Sequence, residues 1–273
     1  MTEQIYYYNG KESFTENMPM RALLYGEGVF ETFRCIDYKL PVFYERHICR
    51  LENGCRYLYI PLPEKYKISK FISESLVESH IEDAYVKLCI LSNGKTHYSA
   101  IPNSSNLILI IKDYPEVREK VNITTAANRR DSANLIFHCK SLNYLENIIL
   151  KRNIQKKGYD EAVFINDKDY VAECISHNIF WLRDDILVTP SSECGILPGV
   201  TRSALIDLVD SIGLKLMEGN FTIDELKLSS SVFITNSITG MAEVTSISGK
   251  NINSGGSLYK HIRQELLIAL QWI

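Results

Sequence analysis

Lys140-Ser-Leu-Asn-Tyr-Leu-Glu-Asn147 and, after a polar turn, Ala162-Val-Phe-Ile-Asn-Asp-Lys-Asp-Tyr-Val-Ala-Glu173 decide the fold class. Leu142, Leu145, Ile148 and Ile149 fall at helical spacing, while the second stretch is apolar on both sides of Asp167-Lys168, as a hairpin is. A strand at Ile123 to Ala126 precedes this pair. Further upstream, Ile5 to Tyr8, Val29 to Cys35 and Lys39 to Phe43, the last after an Asp37-Tyr38 turn, read as strands and a hairpin. Ile48, Leu51, Cys55 and Leu58, then Ile68, Phe71, Ile72 and Leu76, predict two helices, and Tyr85 to Leu91 and Leu107 to Ile111 predict buried strands. The polar segment Lys112-Asp-Tyr-Pro-Glu-Val-Arg-Glu-Lys120 is the best candidate linker. The expected fold is therefore α+β with two domains, a small N-terminal α/β domain at 1–114 and a larger C-terminal domain at 115–273. The chain closes on a helix from Leu258 to Trp272 whose Leu258, Ile262, Leu266, Ile268 and Ala269 form a packing face, and no internal repeat or low-complexity tract occurs.

With 273 residues, 45% apolar and 23% charged, the chain is long enough to bury a core without disulfide or metal support. Thirty basic against thirty-three acidic residues, in no long block, leave a net charge of −3 and none of the basic excess of a phosphate-tracking protein, so nucleic acid is not an expected partner. The seven cysteines, at 35, 49, 55, 89, 139, 174 and 194, are odd in number and contain no C-x-x-C pair, which predicts free thiols in a reducing compartment. Met-Thr-Glu-Gln lacks a basic region followed by an apolar one, and no run nears the roughly 18 apolar residues of a membrane span. A soluble cytoplasmic protein is expected.

Histidines 47, 80, 97, 138, 177 and 261 show no ligand spacing, so no metal is expected. There is no G-x-S-x-G elbow, Walker loop or G-x-G-x-x-G fingerprint, and a turn explains Gly26-Glu27-Gly28. Three positions carry chemistry instead. Lys140 follows the apolar Leu135-Ile-Phe-His-Cys run, where desolvation depresses an amine's pKa. Glu173 stands among Val171, Ala172, Cys174 and Ile175, where a carboxylate wants a cationic partner. Gly199-Val200-Thr201-Arg202 opens a helix bearing Leu205, Leu208 and Val209, so its free N–H groups make an anion site. Taken singly, each has a plainer reading: a solvated lysine, a cross-strand ion pair, and a Thr N-cap.

Four separated segments narrow the choice: Tyr25-Gly-Glu-Gly-Val-Phe-Glu-Thr32 with His47-Ile-Cys-Arg-Leu51; Lys140 to Asn147; Glu161-Ala-Val-Phe164 with Val171-Ala-Glu-Cys-Ile-Ser-His-Asn-Ile-Phe180; and Ile196-Leu-Pro-Gly-Val-Thr-Arg202 with Thr235-Asn-Ser-Ile-Thr239. Together, from about Tyr8 to Ser248, they resemble the class IV, fold-type IV pyridoxal-phosphate enzymes: branched-chain aminotransferases, D-amino acid aminotransferases and aminodeoxychorismate lyases. That resemblance implies a β-barrel-like C-terminal domain with helices, a homodimer, and pyridoxal 5′-phosphate as cofactor. It makes Lys140 the Schiff-base lysine and proton carrier, and Glu173 the partner of the pyridine nitrogen. Arg50, Ser237 and the amides of Val200 and Thr201 would share the phosphate, with Tyr144 at the ring hydroxyl. Arg50 alone reads equally as an exposed arginine, and Tyr144 as a core tyrosine.

Within the family, Lys140-Ser-Leu-Asn, Ala172-Glu-Cys, Asn178-Ile-Phe-Trp181 and Thr235-Asn-Ser237, with the compact length, resemble the lyase branch. The implied reaction is removal of pyruvate from 4-amino-4-deoxychorismate to give 4-aminobenzoate, a step of folate synthesis. The alternative is a class IV aminotransferase acting on D-amino or branched-chain amino acids with 2-oxoglutarate. A remote third reading is a binding protein that has lost the chemistry. Ser92-Asn-Gly-Lys-Thr-His-Tyr98 stands where many relatives have a serine-arginine-glycine loop, which nominates Lys95 and His97 as substrate residues beside Ile238 and Thr239. His177 replaces a commonly small residue and Glu243 a common proline.

Overall fold

The computed structural model describes residues 6–8, 11–13, 18–252 and 255–273. β1 (Tyr6–Tyr8) and β2 (Lys11–Ser13) pair as a ribbon ahead of α1 (Met20–Tyr25). Ile5, expected in the first strand, lies outside the described residues. An antiparallel sheet follows, ordered β3 (Gly28–Ile36), β4 (Asp83–Asn93) and β5 (Ser104–Asp113). Between β3 and β4 run α2 (Tyr44–Tyr57) and α3 (Lys65–Ser79). Ile48, Leu51 and Cys55 of α2 and Ile68, Ile72 and Leu76 of α3 pack on Val29, Phe33, Val86 and Ile90. Burying each large apolar side chain this way stabilises by about 1.5–3 kcal/mol.

Two expectations for this half are corrected. The hairpin arm at Lys39 to Phe43 does not form: Asp37 and Tyr38, both at positive φ, turn the chain, but β3 pairs along its whole length with β4. Pro41 has no N–H for a ladder, and its carbonyl accepts from Tyr44 N as α2 begins. The strand at Leu107 to Ile111 is present but buried on one face only. As the sheet edge it turns Leu107, Leu109 and Ile111 to the core and leaves Ile108 and Ile110 exposed.

The second half opens with β6 (Lys120–Thr125), α4 (Leu145–Gln155), β7 (Glu161–Ile165), β8 (Val171–Cys174), β9 (Asn178–Arg183) and β10 (Ile186–Pro190). Next come α5 (Val200–Leu208), β11 (Lys215–Gly219), α6 (Ile223–Lys227), β12 (Ser231–Asn236), β13 (Gly240–Ile247), β14 (Lys250–Asn251) and α7 (Ser257–Ala269). The strands form one sheet in the order β11-β10-β9-β12-β13-β6-β7-β8, with β14 on β13; β8 returns against β9 and β10, so the sheet curls on itself. Val121, Val163, Trp181, Ile234 and Val244 fill its inside. On the outer face, α5 and α7 cover Phe180 and Phe233, and α4 covers Ala162, Phe164 and Ala172.

The helical face expected of α4 is inverted. The helix starts at Leu145, past Leu142, and buries Leu150 and Ile154, while Leu145, Ile148 and Ile149 are exposed. The expected apolar spacing is real, but within this chain nothing described covers it. Phe71 and Ile268 are likewise exposed, whereas Ile68, Ile72 and Leu76 of α3 and Ile262 and Leu266 of α7 pack. The hairpin β7–β8 turns as expected, with Asp169 at positive φ.

Candidate active site

Lys140 is held by the free edge of β3. Phe30 N donates to Lys140 O at 2.8 Å and Leu142 N to Gly28 O at 2.9 Å, with a bridge between Val29 and Ser141. The approach is close enough to require glycine: a Cβ on residue 28 would stand 2.6 Å from Leu142 Cδ1 and 2.7 Å from Ile90 O. Gly26, at positive φ, makes the turn, so the glycine pair does two different things. The Lys140 Nζ lies 4.5 Å over the Phe30 ring and 3.4 Å from Tyr144 OH. Burial, aided by the Arg50 charge, lowers its pKa to about 8, which brings the neutral, nucleophilic amine into reach near neutrality.

Glu173 is buried at the end of β8, where a register irregularity sets it apart from the inward Val171 and Cys174. Its Oε1 accepts from Arg130 Nη1, and its Oε2 accepts from Asn178 Nδ2 at 3.1 Å and Leu197 N at 2.9 Å. Burial nonetheless raises its pKa, so a further cation facing it would stabilise the ionised form. Arg130 is clasped between the Phe137 and Phe164 rings, 4.2 and 4.1 Å away, and its Nε has no partner among the described residues. The partner of Glu173 is thus this arginine and not a surface lysine. It is distant in sequence, and no local pattern singles it out.

Arg50 is engaged as a fork rather than exposed: Nε and Nη2 donate to Glu31 Oε1 and Oε2 at 2.7 and 2.6 Å, and Nη1 to Pro198 O at 2.9 Å. His47 Nδ1 meets the same Glu31 at 2.7 Å. Burial pushes the Glu31 carboxyl up, but Arg50 and then His47 override it and hold its pKa near about 2, while burial lowers that of His47. A neutral imidazole donating from Nδ1 and an ionised Glu31 on Arg50 satisfy both. The link to Pro198 brings the guanidinium to the start of α5. There Gly199 leaves room for Asn178, whose Oδ1 would lie 1.9 Å from an added Cβ. Thr201 Oγ1, in the first turn of α5, is 3.2 Å from Ser237 Oγ. Lys140 thus lies within the electrostatic reach of Arg50 and Glu173, and Arg50 reaches through Pro198 O to the turn before α5, where Thr201 meets Ser237.

The nominated substrate residues divide. Lys95 and His97 are exposed on the loop after β4, their backbone carbonyls receiving Arg21 Nη1 at 2.7 and 2.8 Å, and the His97 ring bonds Ser99 Oγ. Ile238 and Thr239 follow Ser237 directly. Their N–H groups both go to Asn236 Oδ1, at 2.9 and 2.6 Å, and Tyr114 OH donates to Ile238 O. Thr239 Oγ1 also meets His177 Nε2 at 3.3 Å, and His177 Nδ1 meets the buried Glu161 at 3.0 Å. These groups, with Lys151, border a cavity of about 460 Å³ floored by Ile234 and Ala242. Glu243 pairs with Lys120 Nζ at 3.6 Å.

A model described as amino-transferase class IV matches residues 28–247. Aminodeoxychorismate lyase of Bacillus subtilis is 30% identical over 244 residues, 85% of this chain and 81% of that one. A Methanocaldococcus jannaschii protein provisionally named branched-chain-amino-acid aminotransferase is 29% identical over 252 residues, 89% and 87% of the two chains. Among solved structures, a Legionella pneumophila protein provisionally named 4-amino-4-deoxychorismate lyase superposes with a TM-score of 0.88 at 27% identity, covering 96% of this chain and 97% of that one. The matched span runs from β3, which holds Lys140, through the hairpin that ends in Glu173 to the Ser237 turn, and the chain belongs to the amino-transferase class IV family.

Proposed function

We propose that this chain is a pyridoxal-phosphate lyase that removes pyruvate from 4-amino-4-deoxychorismate and leaves 4-aminobenzoate for folate synthesis. The donor set fits the cofactor: the Lys140 amine for its aldehyde, Glu173 for its ring nitrogen, and Arg50, Thr201, Ser237 and the Val200 and Thr201 amides for its phosphate. The observation that carries the choice of reaction is that Arg50 and Arg130, the arginines beside Glu31 and Glu173, and four others in the chain are already paired with carboxylates. Arg50 pairs with Glu31, Arg130 with Glu173, Arg21 with Glu27, Arg34 with Asp83, Arg46 with Asp207 and Arg202 with Glu218. Each of these six arginines is thereby turned toward a carboxylate of this chain and away from the α-carboxylate of an amino acid. The reacting carbon of aminodeoxychorismate carries no carboxylate.

When bound, pyridoxal phosphate supplies an electron sink for the carbanion beside the substrate amine. With the cofactor bound, Lys140 Nζ would hold its aldehyde at rest and, freed when the substrate's C4 amine takes its place, would take the C4 proton; the C3–O bond then breaks, the ring becomes aromatic, and the proton returns to the methylene carbon of the leaving enolpyruvate to give pyruvate. Arg130, Asn178 and Leu197 N orient Glu173, whose negative charge favours a protonated ring nitrogen. Phe30, against Nζ, keeps water from the amine.

Amino-acid transamination with 2-oxoglutarate is the second reading, favoured by the Methanocaldococcus relative. It requires Lys95, His97 or a second subunit to hold the α-carboxylate. Equal yields of pyruvate and 4-aminobenzoate from aminodeoxychorismate, with no keto acid added, support the lyase. Turnover that needs an amino acid and 2-oxoglutarate, with no aminobenzoate formed, makes the second reading correct.

A homodimer belongs to the same proposal. Leu145, Ile148 and Ile149 on α4 and Leu23 and Leu24 on α1 are exposed, and Asn143 Nδ2 ties the end of α1 at Gly26 O to the start of α4. This apolar face is what a second copy would cover. Seven free cysteines suit a cytoplasmic, reducing location. Among the described residues, no helix is long and apolar enough to cross a membrane.

A further inference from the structure

Thr235 is 1% exposed, and its Oγ1 has no hydrogen-bond partner among the described residues. A hydroxyl buried without a partner is costly, and sheet threonines commonly avoid the cost, as Thr189 does by donating to Ile179 O at 2.9 Å.

Its position says what it faces. Along β12, Ile234 points into the inside of the curled sheet, so Phe233 and Thr235 share the outer face. Phe233 stacks on Phe180 at 5.7 Å beneath Ala204 and Leu205 of α5. Farther along the same strand, Ser237 meets Thr201 in the first turn of α5. Thr235 lies between these two levels, under the start of that helix, whose first N–H groups have no helical acceptors. Across the sheet it pairs with Asn178, whose side chain reaches Glu173 and the Leu197 carbonyl just before the α5 turn.

We infer that Thr235 is a further ligand of the cofactor phosphate, an inference that rests on reading the chain as a pyridoxal-phosphate enzyme. The unpartnered hydroxyl donates to a phosphate oxygen at the α5 N-terminus and joins Thr201, Ser237 and Arg50 there. A dianion with three oxygens has acceptor sites for all four. Thr235 thereby acts on phosphate affinity without touching the Lys140 chemistry.

The test titrates the full chain, freed of cofactor, with pyridoxal phosphate and with phosphate-free pyridoxal, and reads binding by absorbance. Thr235→Val is expected to raise the Kd for pyridoxal phosphate about tenfold or more and leave that for pyridoxal unchanged, since a charge-assisted hydrogen bond is lost. Thr235→Ser, which keeps the hydroxyl, should bind like the parent chain, and Thr235→Ala gives the same comparison should the valine variant not fold. Equal weakening of both ligands, or of neither, overturns the assignment. A parent chain that binds no pyridoxal phosphate overturns the enzyme reading itself.

Discussion

Phe30 holds Lys140 twice, by its backbone N–H on the lysine carbonyl at 2.8 Å and by its ring 4.5 Å beneath the ammonium. The strand edge fixes where the main chain runs, and the aromatic face strips water from the side chain. A reactive amine thus depends on a strand far away in sequence.

Lys140 should be the residue that carries pyridoxal phosphate. Borohydride reduction followed by peptide mapping is expected to find the pyridoxyl group there, and Lys140→Ala to abolish turnover. Because its pKa lies near about 8, the rate of covalent attachment should climb with pH and level off above that value. Label on another lysine would overturn the assignment.

Glu173→Gln should retain cofactor, since Arg50 and the α5 N-terminus are untouched, yet slow turnover by about two to three orders of magnitude as the ring nitrogen loses its charge partner. Cofactor content by absorbance and steady-state rate measure the two effects separately. Unchanged turnover would return Glu173 to a structural ion pair with Arg130.

Glu31 makes folding acid-sensitive. Its carboxyl titrates near about 2 in the folded chain against 4.5 ordinarily, so its stabilisation is fully present above the ordinary value and is lost as pH falls through the folded one. The shift corresponds to about 3 kcal/mol. Unfolding free energies between pH 5 and pH 2 should therefore fall less steeply for Glu31→Gln than for the parent chain. Parallel curves would show that Glu31 is not a source of the acid sensitivity.

Leu145→Asp combined with Ile149→Asp should convert a dimer into monomers in sedimentation velocity, because both side chains are exposed on α4 and contribute nothing to this chain's own core. A parent chain that sediments as a monomer with full activity would rule the dimer out.

The local sequence was sufficient for the helices α2 and α3, the β7–β8 hairpin, the Gly199 turn that opens α5 and the lowered pKa of Lys140, because spacing, turn residues and neighbouring apolar side chains all act over short range. It misassigned Lys39 to Phe43, where strand composition lost to Pro41 and to a partner strand, β4, that only long-range pairing supplies. It also took the exposed face of α4 for its packing face, since periodicity shows that an apolar stripe exists and not what covers it. Arg130 on Glu173, Glu31 on Arg50 and the unpartnered Thr235 were beyond its reach. Each depends on residues from separate segments meeting in a dry interior, where a charge or hydroxyl takes its partner from the folded packing and not from its neighbours in the chain.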